Sequence, residues 1–564
     1  MTTTAVAART VRVPFKGDRA GRWPVTLVQT DVFGWMVTGQ DGTVFCLQAD
    51  VPAGRTLEDV LAAVGALVSR HEGLRTRYAA DPEGERSQTV PQAGHLDVLV
   101  LELGDQALRR TQVTEPFQPF DHAREYPLRV AVALGRGAPL RVLFEFSHLC
   151  ADLMAGTIVL AEFAELMTAP DRHRARPRAW QPGDQAEYER TPAVADRMAR
   201  TLDYWRAQVT ELPPCVLSVP SHAAGPPEFR LAALRSAAAS AALREMSVRT
   251  RISPATFIVS AFTTVLSWWT DNSTFTADIL YSNRSLPNMR DYVGTIAQIA
   301  LLPVARTAPS FLETARATNA AALNAYRFAY FDRTSVFHMI GAVGLRRGCE
   351  RHRDLVINDL STTGGGVFIQ QEDPADVASA TTETVSGLET TTIDPLRLTI
   401  LRLKPTLLIA LSHDVRRVSD AEAVDLLRST ERVLTAAAER DIDLGSPGDF
   451  GEFLGLDPVR RSGDWLKLNV GWVDLPACER LFRLAARDRA ARVFAEDGTL
   501  TGYTALPDQQ ISLECLHTMA MASVDGQHGA VTPDRYIICR QSPRSPDSHA
   551  AWQAQPVLMA GPGR

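Results

Sequence analysis

Lysine is almost missing from this 564-residue chain. Of its 59 basic residues only Lys16, Lys404 and Lys467 are lysines, a bias that reflects a genome rich in G and C and carries no chemistry. Charge of one sign is lacking too: a net charge of −6 gives no reason to expect a nucleic-acid partner or an anionic membrane. No apolar run is long enough to span a bilayer. The most apolar stretch, Ala255 to Trp269, is broken by Ser and Thr and falls short of the ~20 residues a span needs. Met1 to Lys16 holds no apolar core, so it does not read as a secretory signal. The cysteines, Cys46, Cys150, Cys215, Cys349, Cys478, Cys515 and Cys539, are scattered and form no C-x-x-C. Neither a disulfide framework nor a metal site is expected, and a reducing, cytoplasmic setting fits. The glycine run Thr362-Thr363-Gly364-Gly365-Gly366 lacks the Lys-Ser/Thr and strand–helix setting of a phosphate loop and reads as a flexible loop.

Apolar residues make up 45% of the chain, enough for several cores at ~100–200 residues per domain. Residues 1–20 read as a disordered leader or an extra edge strand. Thr56-Leu57-Glu58-Asp59 opens a helix with a capping box. This helix runs into Arg70-His71-Glu72-Gly73-Leu74-Arg75-Thr76-Arg77-Tyr78, with Gly73 as a left-handed cap. A hairpin follows, Leu128 to Leu134 and Leu140 to Phe146 around Gly135-Arg136-Gly137. Pro170 to Pro182 reads as a linker. The second half repeats the mixture: a helix over Ala255 to Trp269, strands near 274–281, 296–304, 355–357, 396–403 and 406–411, and a helix over 420–439. The pattern predicts an α/β protein of two stacked units, 21–180 and 181–440, a linker over 441–462, and a small α+β unit over 463–564.

The chain is organised around Phe144-Glu145-Phe146-Ser147-His148-Leu149-Cys150-Ala151-Asp152-Leu153. Strand alternation before it and helical periodicity after it place one imidazole and one carboxylate on a short loop between two rigid elements. An ordinary strand-end histidine and an N-cap aspartate would give the same pattern. His148 is a candidate base in such a position because its unperturbed pKa lies near neutrality.

Five stretches in order resemble the condensation domains of nonribosomal peptide synthetases. Arg70 to Tyr78 is similar to that family's R-H-E-x-L-R-T-x-F, and Ser147-His148-x-x-x-Asp152-Leu153 to its H-H-x-x-x-D-G. Tyr204-Trp205-Arg206 resembles its Y-W motif, Asn283-Arg284 with Val293-Gly294-Thr295 its N-R…I-G stretch, and Val28-Gln29 with Trp35 its first motif. The resemblance implies two chloramphenicol-acetyltransferase-like lobes in a V with a tunnel between them. It implies His148 as the catalytic residue, Asp152 and Arg284 as the pair holding its loop, Ser147 as loop support, and Asn358 as a tunnel residue. Arg70 and Arg75 read as structural. Two positions depart from the family: Ser147 replaces the first histidine and Leu153 the glycine. Leu153 either narrows the donor site, selects a small acyl group, or marks a domain that no longer catalyses.

Ser462 to Glu479 resembles the hinge of adenylate-forming enzymes, leading into a small lid-like subdomain. The ATP-binding portion and the late catalytic lysine are missing, so no adenylation is expected of this piece, which reads as a relic or docking surface. The resemblance implies a free-standing condensation enzyme joining a carrier-bound acyl thioester to an amine or hydroxyl. No cofactor is bound; partner carrier proteins present the phosphopantetheine arm in trans, and a neighbouring synthetase or adenylation protein could meet 463–564. The alternatives are a non-catalytic scaffold that brings a partner enzyme to a carrier protein, and an acyltransferase of the same superfamily that uses coenzyme A.

Overall fold

Alternating apolar residues in Leu128–Gly135 and Ala138–Ser147 make two strands that bury one face against helices. They form the middle of a five-stranded sheet ordered Ala5–Lys16, Ala93–Leu103, Leu128–Gly135, Ala138–Ser147, Val44–Asp50. Helices Leu57–Arg70 and Leu153–Thr168 cover it, and Val64, Leu67, Val98, Val132, Phe144, Phe146 and Phe163 form its core. The computed structural model describes residues 5–37, 43–80, 84–103, 119–223, 225–286, 288–362, 382–390, 392–506, 511–524 and 526–564. The glycines of the 362–366 run lie outside the described residues.

The second lobe is built on a seven-stranded sheet ordered Gln298–Ala305, Thr274–Tyr281, Leu355–Asp359, Leu396–Arg402, Leu407–Asp414, Phe229–Ser236, Glu383–Glu389. One face packs on helices Ala237–Thr250, Pro254–Thr270, Phe311–Arg327 and Asp420–Glu439. Helices Pro192–Glu211 and Arg333–Arg347 cover part of the other, through Trp205, Val209, Leu301, Phe331 and Val336. A third core, around Phe482, Leu500, Leu516 and Tyr536, belongs to the C-terminal unit and reaches Cys349 of the second lobe.

Several boundaries differ from those the sequence predicts. Residues 5–16 take the edge-strand alternative, pairing along 93–103, so they belong to the first lobe. The 170–182 stretch carries short helices rather than running as a bare linker, because His173 and Arg176 fold back onto Glu162 and Glu165 of the preceding helix. Gly73 is not a left-handed cap: the helix ends at Arg70, His71 caps it, and Glu72–Arg75 is a 3-10 turn. Its need for glycine is steric, since a Cβ there would come within 3.0 Å of the Val293 carbonyl oxygen and 3.2 Å of that of Cys150. At the chain end Val557–Gly561 adds a fourth strand to the C-terminal sheet. Among the described residues no single helix is long and apolar enough to cross a membrane.

Candidate functional site

The loop after strand Ala138–Ser147 is fastened at almost every residue. The backbone N–H of His148 donates to the Thr43 carbonyl at 2.8 Å. The Leu149 carbonyl accepts from the Tyr78 hydroxyl at 2.9 Å and from Gln29 Nε2 at 3.3 Å. Cys150 Sγ, fully buried, donates to the Pro127 carbonyl. A loop held this way fixes its side chains within a fraction of an ångström, which a positioned catalytic group requires.

Asp152 does two jobs. As N-cap of helix Leu153–Thr168 it accepts from the Ala155 N–H at 2.7 Å. The same carboxylate meets Arg284 Nη2 at 2.7 Å and accepts from the N–H groups of Ile296 and Ala297 at 3.1 and 3.2 Å. Arg284 in turn donates to the carbonyls of Met289 and Tyr292. Both side chains are over nine-tenths buried, and the bond ties the first-lobe loop to the second lobe. Asn283, just before, holds a left-handed φ of 53° and donates through Nδ2 to the Ile296 and Ala329 carbonyls, which sets the arginine's direction.

His148 is half-buried between two aromatic rings. The Trp35 indole stands edge-on at 6.1 Å between centroids, and the Phe45 ring lies tilted at 4.8 Å. Burial pushes the imidazole down to about 4; Asp152 and a backbone hydrogen bond at Ala151 oppose that push without overcoming it. The ring is therefore neutral at pH 7 and able to accept a proton. A pH consequence follows. Because the folded value lies below the unfolded ~6.5, the unfolded chain binds more protons between the two values. The stability from the neutral ring is full above about pH 6.5 and is lost as pH falls toward about 4. In His148→Gln, the part of the acid-side loss of stability due to this ring should disappear, measured as the difference in denaturation midpoint between pH 7 and pH 5.

The position of Ser147, fully buried, is explained by a residue that sequence reasoning missed. His122 Nε2 lies 2.8 Å from Ser147 Oγ, and the Leu149 N–H donates to the same oxygen at 3.2 Å. An imidazole from another segment thus stands beside the serine that occupies the family's first-histidine position. No spacing in the sequence points to it, because His122 lies 25 residues upstream. His122→Ala should leave the Ser147 hydroxyl short of a partner in the interior and destabilise the fold by about 1–3 kcal/mol, read from urea unfolding.

The remaining candidates sit further out. Leu153 begins the helix and leans, half-buried, on the first-lobe core. Asn358 lies on strand Leu355–Asp359, half-buried, where alternation puts it on the face opposite Leu355 and Ile357, which pack into the second-lobe core. Neither these two nor His148 itself lines the cavity of about 400 Å³, which is walled by Asp31, Trp35, Trp205, Phe331, Arg333 and Met521 among others. Trp35 thus faces both this cavity and the His148 ring. Its helix is pinned to the second lobe by Asp31, which pairs with Arg333 at 2.8 Å.

The motif segments converge on this seam. Gln29 and Tyr78 hold the Leu149 carbonyl, Gly73 lets the 3-10 turn approach Cys150, Trp205 walls the cavity, and Arg284 clamps Asp152.

Known proteins share this fold. Phosphinothricin tripeptide synthetase PhsC of Streptomyces viridochromogenes is 24% identical over 309 residues, 52% of this chain and 28% of its own length. AMB antimetabolite synthetase AmbB of Pseudomonas aeruginosa is 28% identical over 263 residues, 45% of this chain and 20% of its own. The chain thus spans less than a third of the length of these relatives. Among solved structures, the condensation domain behind chain release from the enacyloxin polyketide synthase matches with a TM-score of 0.57 at 19% identity, covering 79% of this chain and 84% of that one. The X-domain in complex with OxyB from teicoplanin biosynthesis matches with a TM-score of 0.56 at 18% identity, covering 75% and 95%. These likenesses show the fold: two chloramphenicol-acetyltransferase-like lobes. The family model described as Condensation domain matches residues 44–338, over half of the sequence, and the chain belongs to the condensation domain family.

Proposed function

We propose that this chain is a condensation-type acyltransferase that joins a carrier-bound acyl thioester to an amine or hydroxyl nucleophile. The observation that carries the reading is a neutral, aromatic-walled His148 on a loop that Asp152 and Arg284 clamp across the two lobes. In the reaction the nucleophile attacks the thioester carbonyl and its proton passes to the imidazole. The tetrahedral species then collapses, the C–S bond breaks, and the leaving pantetheine thiolate takes up a proton. The half-buried ring packs on Trp35, which also walls the cavity of about 400 Å³, so substrate would reach it past that indole. The phosphopantetheine arms are presented by carrier proteins. The C-terminal unit, which resembles an adenylation lid, serves as a docking surface for a carrier or a neighbouring synthetase.

The test is incubation with acyl-loaded carrier protein and a panel of amines, followed by mass spectrometry of product and titration of free carrier thiol. Amide formation matched by thiol release is expected. Equal turnover of free coenzyme A thioesters would favour the coenzyme A-dependent reading instead.

A second reading is a scaffold that brings a partner enzyme to a carrier protein. Leu153 in place of the family's glycine, and the likeness to an X-domain solved in complex with OxyB, favour it. Carrier binding without any thiol release across the panel is its expected signature.

A further inference from the structure

Cys215, Asp354 and His528 are remote in sequence and come together where the C-terminal unit meets the second lobe. Each offers one ligand atom, and the three atoms all lie within 4.8 Å of one another. Cys215 follows the Pro213-Pro214 break after helix Pro192–Glu211, Asp354 enters strand Leu355–Asp359, and His528 comes from the loop after helix Leu513–Met521. Cys215 and Asp354 are 5% and 2% exposed.

The orientation of these groups is what singles them out. One carboxylate oxygen of Asp354 is occupied, accepting from the N–H groups of Val216 and Leu217 at 2.7 and 2.9 Å. This leaves Oδ1 turned toward the cluster. His528 Nε2 lies 2.7 Å from that oxygen, at ion-pair distance, and the Cys215 thiol also hydrogen-bonds this carboxyl. A carboxylate oxygen, a ring nitrogen and a thiol sulfur from three remote segments thus converge on one point. The His352 ring stacks on that of His528 at 4.4 Å and holds its plane. A cavity of about 320 Å³ beside His528, walled by Trp465, Asp474, Arg417 and Arg480, gives a way in.

We infer that Cys215, Asp354 and His528 form a binding site for a zinc-like divalent cation that fastens the C-terminal unit to the second lobe. Thiolate, carboxylate and imidazole are the donors zinc takes. Ligand atoms around a tetrahedral zinc stand about 3–4 Å apart, a separation these atoms reach with small side-chain rotations. Charge also balances: a thiolate and a carboxylate neutralise a dication, and the imidazole binds in its neutral form, so the buried centre has no net charge. On binding, the Cys215 S–H proton leaves to solvent and the S–metal bond forms; no oxidant or reductant is involved. A bound water completes the tetrahedron. The two backbone N–H groups on Asp354 Oδ2 orient the ligand oxygen, as outer partners do in metal sites. A nucleophilic role for Cys215 fits poorly, because a thiol sealed in the interior is inert.

The test uses the full chain loaded with zinc, then dialysed against metal-free buffer and analysed by elemental mass spectrometry. About one zinc per chain is expected for the wild type and for Cys515→Ala, and at least tenfold less for Cys215→Ala and His528→Asn. Cobalt loading should give a thiolate-to-cobalt charge-transfer band in the wild type that Cys215→Ala lacks. Circular dichroism checks that each variant folds. If Cys215→Ala does not fold, His528→Asn, at the less buried position, decides. Chelation of the wild type should speed proteolytic cutting within 445–464. A wild type that retains neither zinc nor cobalt, or a folded variant that loads like the wild type, overturns the assignment and leaves an ion pair alone.

Discussion

The His148→Ala variant should bind acyl-loaded carrier protein as the wild type does and form product at least ~10²–10⁴-fold more slowly. That range is what loss of a general base removes, and loss of oxyanion or positional stabilisation removes a similar factor. The ring lies half-buried between Trp35 and Phe45, and its loop is held by the bonds of Leu149, Cys150 and Asp152 rather than by the imidazole. Folding should therefore survive, and a drop in rate without a drop in melting temperature is the signature. His148→Gln separates roles further. Glutamine can hydrogen-bond a nucleophile but cannot carry its proton, so partial rescue would mean that placement dominates. With the ring value near 4, the wild-type rate should stay level from pH 8 down to about 5, where an unperturbed histidine would already be mostly charged.

The second large effect falls on stability. Breaking the Asp152–Arg284 pair strands a charge in the interior, at a cost of about 3–5 kcal/mol. The two sides should not cost the same. In Arg284→Ala the carboxylate still accepts from the N–H groups of Ala155, Ile296 and Ala297, so the loss should sit at the lower end. In Asp152→Ala a buried guanidinium keeps only carbonyl partners, the helix loses its cap (~1 kcal/mol), and the Ile296 and Ala297 donors lose their acceptor. Asp152→Ala should therefore be the worse by at least about 1 kcal/mol in guanidinium unfolding. Equal small losses for both would mean that the pair is solvated and that the loop is held by something else.

How much of this was legible in the sequence depends on the distance over which each contact acts. Local rules worked where the cause is local. The capping box at Thr56 and Asp59 is present with both of its bonds, and the strand Thr274–Tyr281 and helix Asp420–Glu439 end where their alternation and caps end. The loop between Ser147 and Leu153 could be read as a site because strand period and helix period meet there. Asp152 could be read either as a cap or as a clamp, and the two readings turn out to be compatible. What the sequence hid are contacts with no periodicity. His122 reaches Ser147 from a turn before the strand Leu128–Gly135, and Cys215, Asp354 and His528 gather over more than three hundred residues. Gly73 misled for a related reason. A glycine at a helix end ordinarily signals a left-handed cap, whereas here the requirement comes from carbonyls of two other segments. The edge strand Ala5–Lys16 needed its partner Ala93–Leu103 to be recognised, since an edge strand's own pattern is weak.

The most direct test of the account is covalent capture. A carrier protein whose pantetheine arm ends in a haloacyl group is incubated with the wild type, and the adduct is mapped by peptide mass spectrometry. An alkylated His148 is expected, reduced in Asp152→Ala and blocked by prior loading with an unreactive acyl carrier. If the carrier binds, the arm stays reactive toward small thiols, and no label reaches His148, the ring is not where the tethered substrates meet, and the proposed bond-forming role is wrong.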